Sequence, residues 1–221
     1  MNPPANSSPG LLQLGRQLLP LSLSDAAMAV ADPMLAVTLT RLPAAEVQLA
    51  ALGVVKAIAV FLESPIIMVL HASTALSGWL PSRRALGRFV AGLALALTLL
   101  LLALSLPQLY DWLMFEVYSL QAEVAGAARW PLLLFCLWPA LIAWRRFYQG
   151  HLILQGQGRT MGMASLFRVG GFSLTLVVGA QLGIAGAALG ATALMAGLVV
   201  EASLVFYWAR RSPLPSREPA K

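Results

Sequence analysis

The feature that most constrains this chain is an apolar run near its middle. The letters LALALTLLLLAL occupy residues 93–104, and no charged residue lies between Arg88 and Leu106. A helix needs about 20 predominantly apolar residues to cross the roughly 30 Å hydrocarbon core of a bilayer. The stretch from Arg88 to Leu106 is of that length, so it predicts a membrane-spanning helix.

The rest of the chain has the same apolar character. Of its 221 residues, 59% are hydrophobic and 11% are charged, and its mean hydropathy is +0.77. Soluble domains carry about a quarter charged residues and present a largely polar surface to water. The composition therefore excludes a soluble domain, a disordered chain and a collagen-like chain, and the single Cys136 excludes a disulfide scaffold. We expect an integral membrane protein.

Six segments are apolar enough to be transmembrane helices, which predicts an all-α, six-helix membrane bundle. The fifth and sixth are separated by a few residues only, so they are expected to form an antiparallel hairpin. We expect a disordered tail over residues 1–16, the membrane domain over residues 17–209 and a basic cytoplasmic tail over residues 210–221. The segment Gln108–Ala128 mixes apolar, acidic and aromatic residues and is expected to lie in the membrane interface. The six predicted spans are Gln17–Thr40, Val47–Leu70, Arg88–Leu106, Trp130–Phe147, Ala164–Gln181 and Ile184–Ala209.

The distribution of basic residues predicts the orientation of the bundle. With both termini cytoplasmic, 12 of the 15 Lys and Arg residues fall on the cytoplasmic side, two on the opposite side, and Lys56 within a span. This bias follows the positive-inside rule and predicts a multi-pass protein of the plasma (inner) membrane. The cytoplasmic set is Arg16, Arg83, Arg84, Arg88, Arg145, Arg146, Arg159, Arg168, Arg210, Arg211, Arg217 and Lys221, and the outer pair is Arg41 and Arg129.

The net charge of +6 does not indicate a nucleic-acid partner, because the basic residues are few and lie between apolar runs. The lipid bilayer is the expected partner instead. A cleaved secretory signal at the N-terminus is a weaker alternative, because Asp25 interrupts the apolar part of the first segment.

Several ionisable residues fall inside the predicted spans, where charge is costly and usually functional, and six of them are candidates for a site. At about 1.5 Å per residue they sort into two depths. Asp32 and Lys56 lie toward the outer side, where they are expected to pair. Neighbouring carboxylates tend to hold a proton or a cation, and a nearby arginine can neutralise them or attract an anionic solute. The residues expected to gather on the cytoplasmic side are Asp25, Glu63, Arg168 and Glu201.

These six residues make up the predicted ion-coupling or substrate-binding site. Pro33 and Pro65 follow Asp32 and Glu63 closely, and a proline kinks a membrane helix and frees carbonyl groups near these acids. Transporters use broken helices of this kind at sites near the centre of the membrane. The alternative is a structural role, in which buried ion pairs fix helix packing or charged side chains extend to water.

The chain lacks the motifs of the common enzyme classes. His71 and His151 are isolated, and no GxSxG, Walker A or paired-cysteine motif occurs. The fragment GQGRT at residues 156–160 lacks the lysine and the preceding strand of a phosphate-binding loop. We therefore expect no catalytic residue, no metal site and no cofactor other than a coupling H⁺ or Na⁺.

Four blocks of the sequence resemble the progressive ankylosis protein group, distant relatives of the MATE multidrug exporters within a larger flippase and exporter superfamily. The first two are PLSLSDAAMAVADPMLAVTLTRLP at Pro20–Pro43 and EVQLAALGVVKAIAVFLESPIIMVLHAS at Glu46–Ser73. The others are RRFYQGHLILQGQGRT at Arg145–Thr160 and GAALGATALMAGLVVEA at Gly186–Ala202. The resemblance extends over roughly residues 18–210 and is specific only in these blocks.

The resemblance implies one six-helix lobe of a two-lobed transporter that works by alternating access. Members of the superfamily export organic solutes driven by a proton or sodium gradient, and the ankylosis proteins are linked to efflux of pyrophosphate, nucleotide or citrate. A single lobe implies a homodimer, a separate partner half, or a truncated remnant. The function predicted is therefore export of a small, possibly anionic solute, and the alternative is a membrane subunit or scaffold that transports nothing.

Overall fold

The computed structural model describes residues 29–211, and within that range every regular element is helical. The all-α class predicted from the sequence is confirmed. Two short turns interrupt the α-helices, a π-helical turn at Trp112–Val117 and a 3₁₀ turn at Phe135–Leu137. The α-helices are α1 (Ala29–Leu39), α2 (Ala45–Leu76), α3 (Leu80–Leu104), α4 (Pro107–Asp111), α5 (Ala122–Leu134), α6 (Trp138–Leu154), α7 (Gly158–Gln181) and α8 (Gly186–Arg211).

Five helical segments are long and apolar enough to cross a bilayer, as expected of a multi-pass membrane protein. Many large apolar side chains on their outer faces are exposed, including Phe61 at 76% and Phe89 at 65%. Such side chains suit contact with lipid rather than with water. The predicted first span, Gln17–Thr40, begins outside the described residues, and α1 is its described part. The five segments are Ala45–Leu76, Pro81–Leu104, Ala122–Leu154, Gly158–Gln181 and Gly186–Arg211.

Several predicted spans were narrower than the helices of the structure. Helix α3 begins at Leu80, before the predicted start at Arg88, because Pro81 suits the first turn of a helix and nothing after it breaks the helix. The fourth span extends over Ala122–Leu154, so the last part of the predicted interfacial segment belongs to it. Within this span α5 and α6 are separated by the 3₁₀ turn at Phe135–Leu137. A sequence rule based on apolar length finds the centre of a span, whereas the helix continues as far as its backbone hydrogen bonds allow.

Helix α8 is the most buried of the spanning helices, and α3 is the most exposed. Helices α7 and α8 form the predicted antiparallel hairpin, whose turn contains Gly183 with a φ of +71°. A glycine adopts this left-handed conformation without the strain that a side chain would cause. The hairpin packs through α8 against α6, and α6 also packs along α2. Helices α6, α7 and α8 thus converge, and this convergence positions the charged residues described next.

Candidate charged site in the membrane domain

Three neighbouring helices each bring one charged residue to the same level of the bundle. The C-terminus of α6, the N-terminus of α7 and the C-terminus of α8 lie at the same side of the molecule, where α6 connects to α7. Arg145 on α6, Arg168 on α7 and Glu201 on α8 each lie nine or ten residues from these helix ends. At 1.5 Å per residue this corresponds to about 14–15 Å from those ends. That distance is near half of the roughly 30 Å hydrocarbon thickness, so the three charges lie deep within the spanning segments.

Glu201 lies at the centre of this group and is fully buried. The Nη1 atom of Arg145 donates a hydrogen bond to Oε2 of Glu201 at 2.5 Å, and Nη1 of Arg168 donates to the same oxygen at 3.0 Å. The hydroxyl of Ser165 donates to the other oxygen, Oε1, at 3.2 Å. The side chains of Arg145 and Glu201 are each 1% exposed and that of Arg168 is 9% exposed. We call these four residues the charged cluster.

The backbone around the charged cluster explains why the side chains meet. A Cβ atom added to Gly197 of α8 would lie 2.9 Å from the carbonyl oxygen of Arg168 and 3.2 Å from its Cγ. The glycine therefore lets α7 approach α8 closely, as small residues do in membrane helix pairs. Ser165 and Arg168 lie three residues apart on α7 and so share one helix face. Glu201 lies four residues after Gly197 on α8, and both face α7.

The charged cluster contains two cationic groups and one carboxylate. Two nitrogen atoms of Arg145, Nε and Nη2, are buried and have no hydrogen-bond partner in the described part of the chain. One turn further along α6, the side-chain oxygen of Gln149 is in the same situation. Buried polar groups are normally hydrogen-bonded, so donors left open on a buried guanidinium are unusual. The internal hydrogen bonds of the cluster therefore do not use these two donors of Arg145.

Arg145 corrects one part of the sequence analysis. The sequence analysis counts it among the basic residues of the cytoplasmic side and not among the candidate site residues, whereas the structure buries it against Glu201. Arg145 lies within the predicted fourth span, and that position was itself evidence of an intramembrane charge. The sequence analysis did not identify Ser165 either, because a serine inside an apolar helix carries no distinctive sequence pattern.

Glu63 of α2 lies close to the charged cluster without joining it by a hydrogen bond. Its Oε2 atom accepts a hydrogen bond of 3.2 Å from Nε1 of Trp138, and the side chain is half-buried. Glu63 is close enough to Arg168 for their charges to attract each other. The structure thus brings Glu63, Arg168 and Glu201 into one region, as predicted. Asp25, the fourth member of the predicted group, lies outside the described residues.

The predicted outer pair is present in the structure. Nζ of Lys56 on α2 donates a hydrogen bond to Oδ1 of Asp32 on α1. The pair lies on the surface of the chain, with the Asp32 side chain 58% exposed and that of Lys56 31% exposed. An ion pair on the side of a membrane bundle is costly if only lipid covers it. This face therefore suits contact with protein or water.

Irregular backbone also occurs away from the two prolines that the sequence analysis singled out. Pro33 and Pro65 lie within α1 and α2, and the helical assignment continues through both. The interruption is the 3₁₀ turn at Phe135–Leu137, between Pro131 of α5 and Pro139 of α6. Trp138, which donates to Glu63, is the first residue after this turn. Glu63 thus lies beside irregular backbone, at a turn that has one proline on α5 before it and one on α6 after it.

The described cavities lie away from the charged cluster. One of about 300 Å³ lies between the ends of α1 and α7 and is lined in part by Arg41 and Gln181. Another of about 240 Å³ lies beside Arg129 and Trp130. A shallow groove runs along α3 next to Arg84 and Arg88. Residues 29–211 contain no group of three or more His, Cys, Asp or Glu side chains that could hold a metal ion.

Comparison of the chain with protein-family models, with curated proteins and with solved structures gives no match. The resemblance to the progressive ankylosis group therefore remains a prediction from the sequence. Any functional assignment depends on the arrangement of the helices and of the charged side chains described above.

Proposed function

We propose that this chain is one six-helix lobe of a secondary active transporter that exports a small anionic organic solute. In this proposal a proton or sodium gradient drives export, and two copies of the chain, or the chain and a separate partner half, form the complete pathway. The proposal places the protein in the plasma (inner) membrane with both termini cytoplasmic. It agrees with the sequence resemblance to the progressive ankylosis group and the MATE-type exporters.

The observation that carries the proposal is the charged cluster itself. Two guanidinium groups face one carboxylate at matched depth among three spanning helices, so positive charge predominates. Charged residues at this depth are rare in membrane helices and usually mark a substrate or ion pathway. The excess of positive charge favours an anion over the organic cations that many multidrug exporters carry.

The coupling ion is assigned to the carboxylates next to the charged cluster. Glu63 is half-buried, lies beside irregular backbone and interacts electrostatically with Arg168. A proton or sodium ion that binds Glu63 would remove a negative charge from the neighbourhood of Arg168 and so change the charge balance on which anion binding depends. Asp32 is the second candidate, because Lys56 is its only charged partner in the described chain.

The dimeric form of the proposal is supported by the exposed Asp32–Lys56 pair. Two identical chains in the same orientation can form a parallel twofold pair, which is the symmetry that the two lobes of such transporters approximate. A neighbouring lobe would cover this ion pair and replace unfavourable contact with lipid. Helices α1 and α2 would then face the substrate pathway between the lobes.

Flux measurements in proteoliposomes test the proposal. Vesicles containing the purified protein are loaded with radiolabelled citrate, pyrophosphate or a nucleotide, and a proton or sodium gradient is imposed across the membrane. We expect release of at least one of these anions to accelerate with one of the gradients. Glu63→Gln and Asp32→Asn are each expected to abolish the response to the gradient, because the amide can no longer bind the coupling ion.

A matched control is Glu116→Gln, which removes an exposed carboxylate outside the spanning segments. Its flux should equal that of the unmodified protein. Absence of gradient-dependent flux for all three anions contradicts the proposal. Equal gradient responses in the unmodified protein, Glu63→Gln and Asp32→Asn contradict the assignment of the coupling site.

A membrane subunit or scaffold is the second candidate, and the close packing of the charged cluster favours it. Buried ion pairs such as those of Glu201 can fix helix packing without binding a solute. Native mass spectrometry in mild detergent separates the two functions. A dimer supports the transporter, whereas a stable monomer without gradient-dependent flux supports the subunit.

A further inference from the structure

The shallow groove along α3 combines two arginines with a floor of small residues. It has a volume of about 580 Å³ and is lined by Arg84, Gly87, Arg88 and Ala91. A Cβ atom added to Gly87 would lie 3.6 Å from Cζ of Phe147, so α6 lies directly behind the floor of the groove. Because glycine and alanine carry no long side chain, the two arginines border an open space on the outside of the bundle.

The charges of Arg84 and Arg88 are uncompensated in the described part of the chain. All ion pairs within residues 29–211 belong to the Asp32–Lys56 pair and to the charged cluster. Both arginines are exposed, and they lie four residues apart on one face of α3, where like charges repel each other. An anion between them would relieve this repulsion, and the donors of a guanidinium group match the oxygens of a phosphate well.

The face of α3 that carries the two arginines continues as an exposed apolar surface. Leu95 and Leu102 lie on this face at helical spacing, and both side chains are exposed. Helix α3 is also the least buried of the spanning helices, so this surface faces the bilayer. A ligand on this face would contact charged groups at one end and apolar side chains along the rest of its length.

The two arginines lie at the level expected for lipid headgroups. Between Arg88 and the end of α3 at Leu104 the helix carries no charge and is about 24 Å long. This length is most of the roughly 30 Å hydrocarbon core, so Arg88 lies near the edge of the core and Arg84 one turn further out. Basic pockets at this level on the cytoplasmic side of membrane proteins bind anionic lipid headgroups, and this end of α3 is the one predicted to be cytoplasmic.

We propose that the groove binds an anionic phospholipid, whose phosphate contacts Arg84 and Arg88 and whose acyl chain lies along α3 over Ala91 and Leu95. A shallow groove suits a lipid better than a soluble solute, because small-molecule sites bury about 70–90% of their ligand, whereas the bilayer covers the rest of a bound lipid. A zwitterionic phospholipid brings its own cationic group and so compensates the arginines less. The site lies on the outer surface of the bundle and does not depend on the proposed transport activity.

Native mass spectrometry of the protein purified in mild detergent tests the proposal. The protein is titrated with dioleoyl phosphatidylglycerol and, separately, with dioleoyl phosphatidylcholine, which has the same acyl chains. We expect phosphatidylglycerol to bind more tightly. Arg84→Gln and Arg88→Gln should each weaken its binding about fivefold, because each removes one positive charge at the headgroup. Arg159→Gln removes an exposed arginine that lies outside the groove on the same predicted side, and should leave binding unchanged.

A second pair of variants tests the space in the groove without changing its charge. Ala91 is exposed, so Ala91→Phe should leave the packing of the bundle intact while its ring occupies the groove and weakens binding of phosphatidylglycerol. Ala96→Phe is the matched control, because Ala96 is an exposed alanine of α3 that does not line the groove. This variant should bind phosphatidylglycerol as the unmodified protein does.

Thermal unfolding in detergent separates a lipid site from a site for free phosphate. Phosphatidylglycerol should raise the unfolding temperature, because it binds the folded state. Glycerol phosphate carries the same phosphate group without acyl chains and should not raise it. Equal binding of the two lipids, equal losses in Arg88→Gln and Arg159→Gln, unchanged binding in Ala91→Phe, or equal stabilisation by glycerol phosphate would each overturn the proposal.

Discussion

Glu201 accepts hydrogen bonds from three side chains on two neighbouring helices, and its burial makes each of these bonds important for stability. Removing a partner from a buried ion pair leaves an uncompensated charge in a medium that solvates it poorly. The loss of folding free energy is therefore larger than the net contribution of the ion pair to stability. The same reasoning applies to Arg145 and Arg168, although each leaves the other arginine beside Glu201 when it is replaced.

Glu201→Gln should destabilise the protein by about 3 kcal/mol, because two buried guanidinium groups would then face a neutral amide. Thermal unfolding of the purified protein in detergent measures the effect. Glu116→Gln removes an exposed carboxylate and should leave the unfolding temperature unchanged. Equal unfolding temperatures for the two variants would show that the ion pairs contribute little to stability.

Tyr110 of α4 gives the protein a predictable response to alkaline pH. Its hydroxyl donates to the backbone carbonyl of Ala125, and burial raises the pKa of Tyr110 from 10.0 to about 12, against a lowering effect of Arg129. The folded state therefore holds this proton more tightly than the unfolded state. Stability from this group is complete below pH 10 and is lost as the pH rises toward 12.

Unfolding temperatures measured in detergent from pH 9 to pH 11.5 test this prediction. The unmodified protein should lose stability over this interval, and Tyr110→Phe should lose less because it has no phenol to ionise. Parallel curves for the two proteins would mean that Tyr110 does not control the alkaline response.

At the scale of helices, the apolar runs predicted the spans but not the way in which they meet. The Asp32–Lys56 pair was predictable because both positions could be placed at one depth from the bilayer thickness alone. Arg145 was not included among the candidate site residues, because a charged residue near the end of a predicted span has the sequence pattern of one that extends to water. Its burial depends on the convergence of α6, α7 and α8, which small residues such as Gly197 permit and which no local pattern reveals.

The contact between α2 and α6 depends on Gly150. A Cβ atom there would lie 2.4 Å from Cβ and Oγ of Ser73, whose hydroxyl donates to the carbonyl of Phe147 at 2.6 Å. Gly150→Ala should force the two helices apart and cost about 1–3 kcal/mol in unfolding free energy. Chemical denaturation in detergent measures the change.

Gly170→Ala is the matched control, because a Cβ atom at this position of α7 meets nothing within 4 Å. Alanine favours helix over glycine by about 1 kcal/mol, so this variant should be as stable as the unmodified protein or more stable. A loss of stability as large as that of Gly150→Ala would contradict the role given to the α2–α6 contact.

At the scale of the whole molecule, orientation in the membrane can be tested with single cysteines. In a Cys136→Ser background, Glu116→Cys and Arg159→Cys each place one thiol at an exposed position. The positive-inside distribution predicts that an impermeant maleimide added to right-side-out vesicles labels Glu116→Cys at once. Arg159→Cys should react with the maleimide only after the vesicles are permeabilised. The reverse labelling pattern would show that the protein has the opposite orientation in the membrane.

The position of Glu201 on the last spanning helix has a consequence for biosynthesis. Arg145 and Arg168 precede it in the chain, so α6 and α7 leave the ribosome and enter the bilayer before their common counter-ion exists. During that interval α6 and α7 lack the carboxylate that accepts hydrogen bonds from both arginines, and membrane quality-control proteases could recognise this as an unfinished product. Synthesis of α8 supplies the carboxylate to which both arginines donate, so translation halted before this helix should yield a rapidly degraded fragment rather than a stable partial bundle.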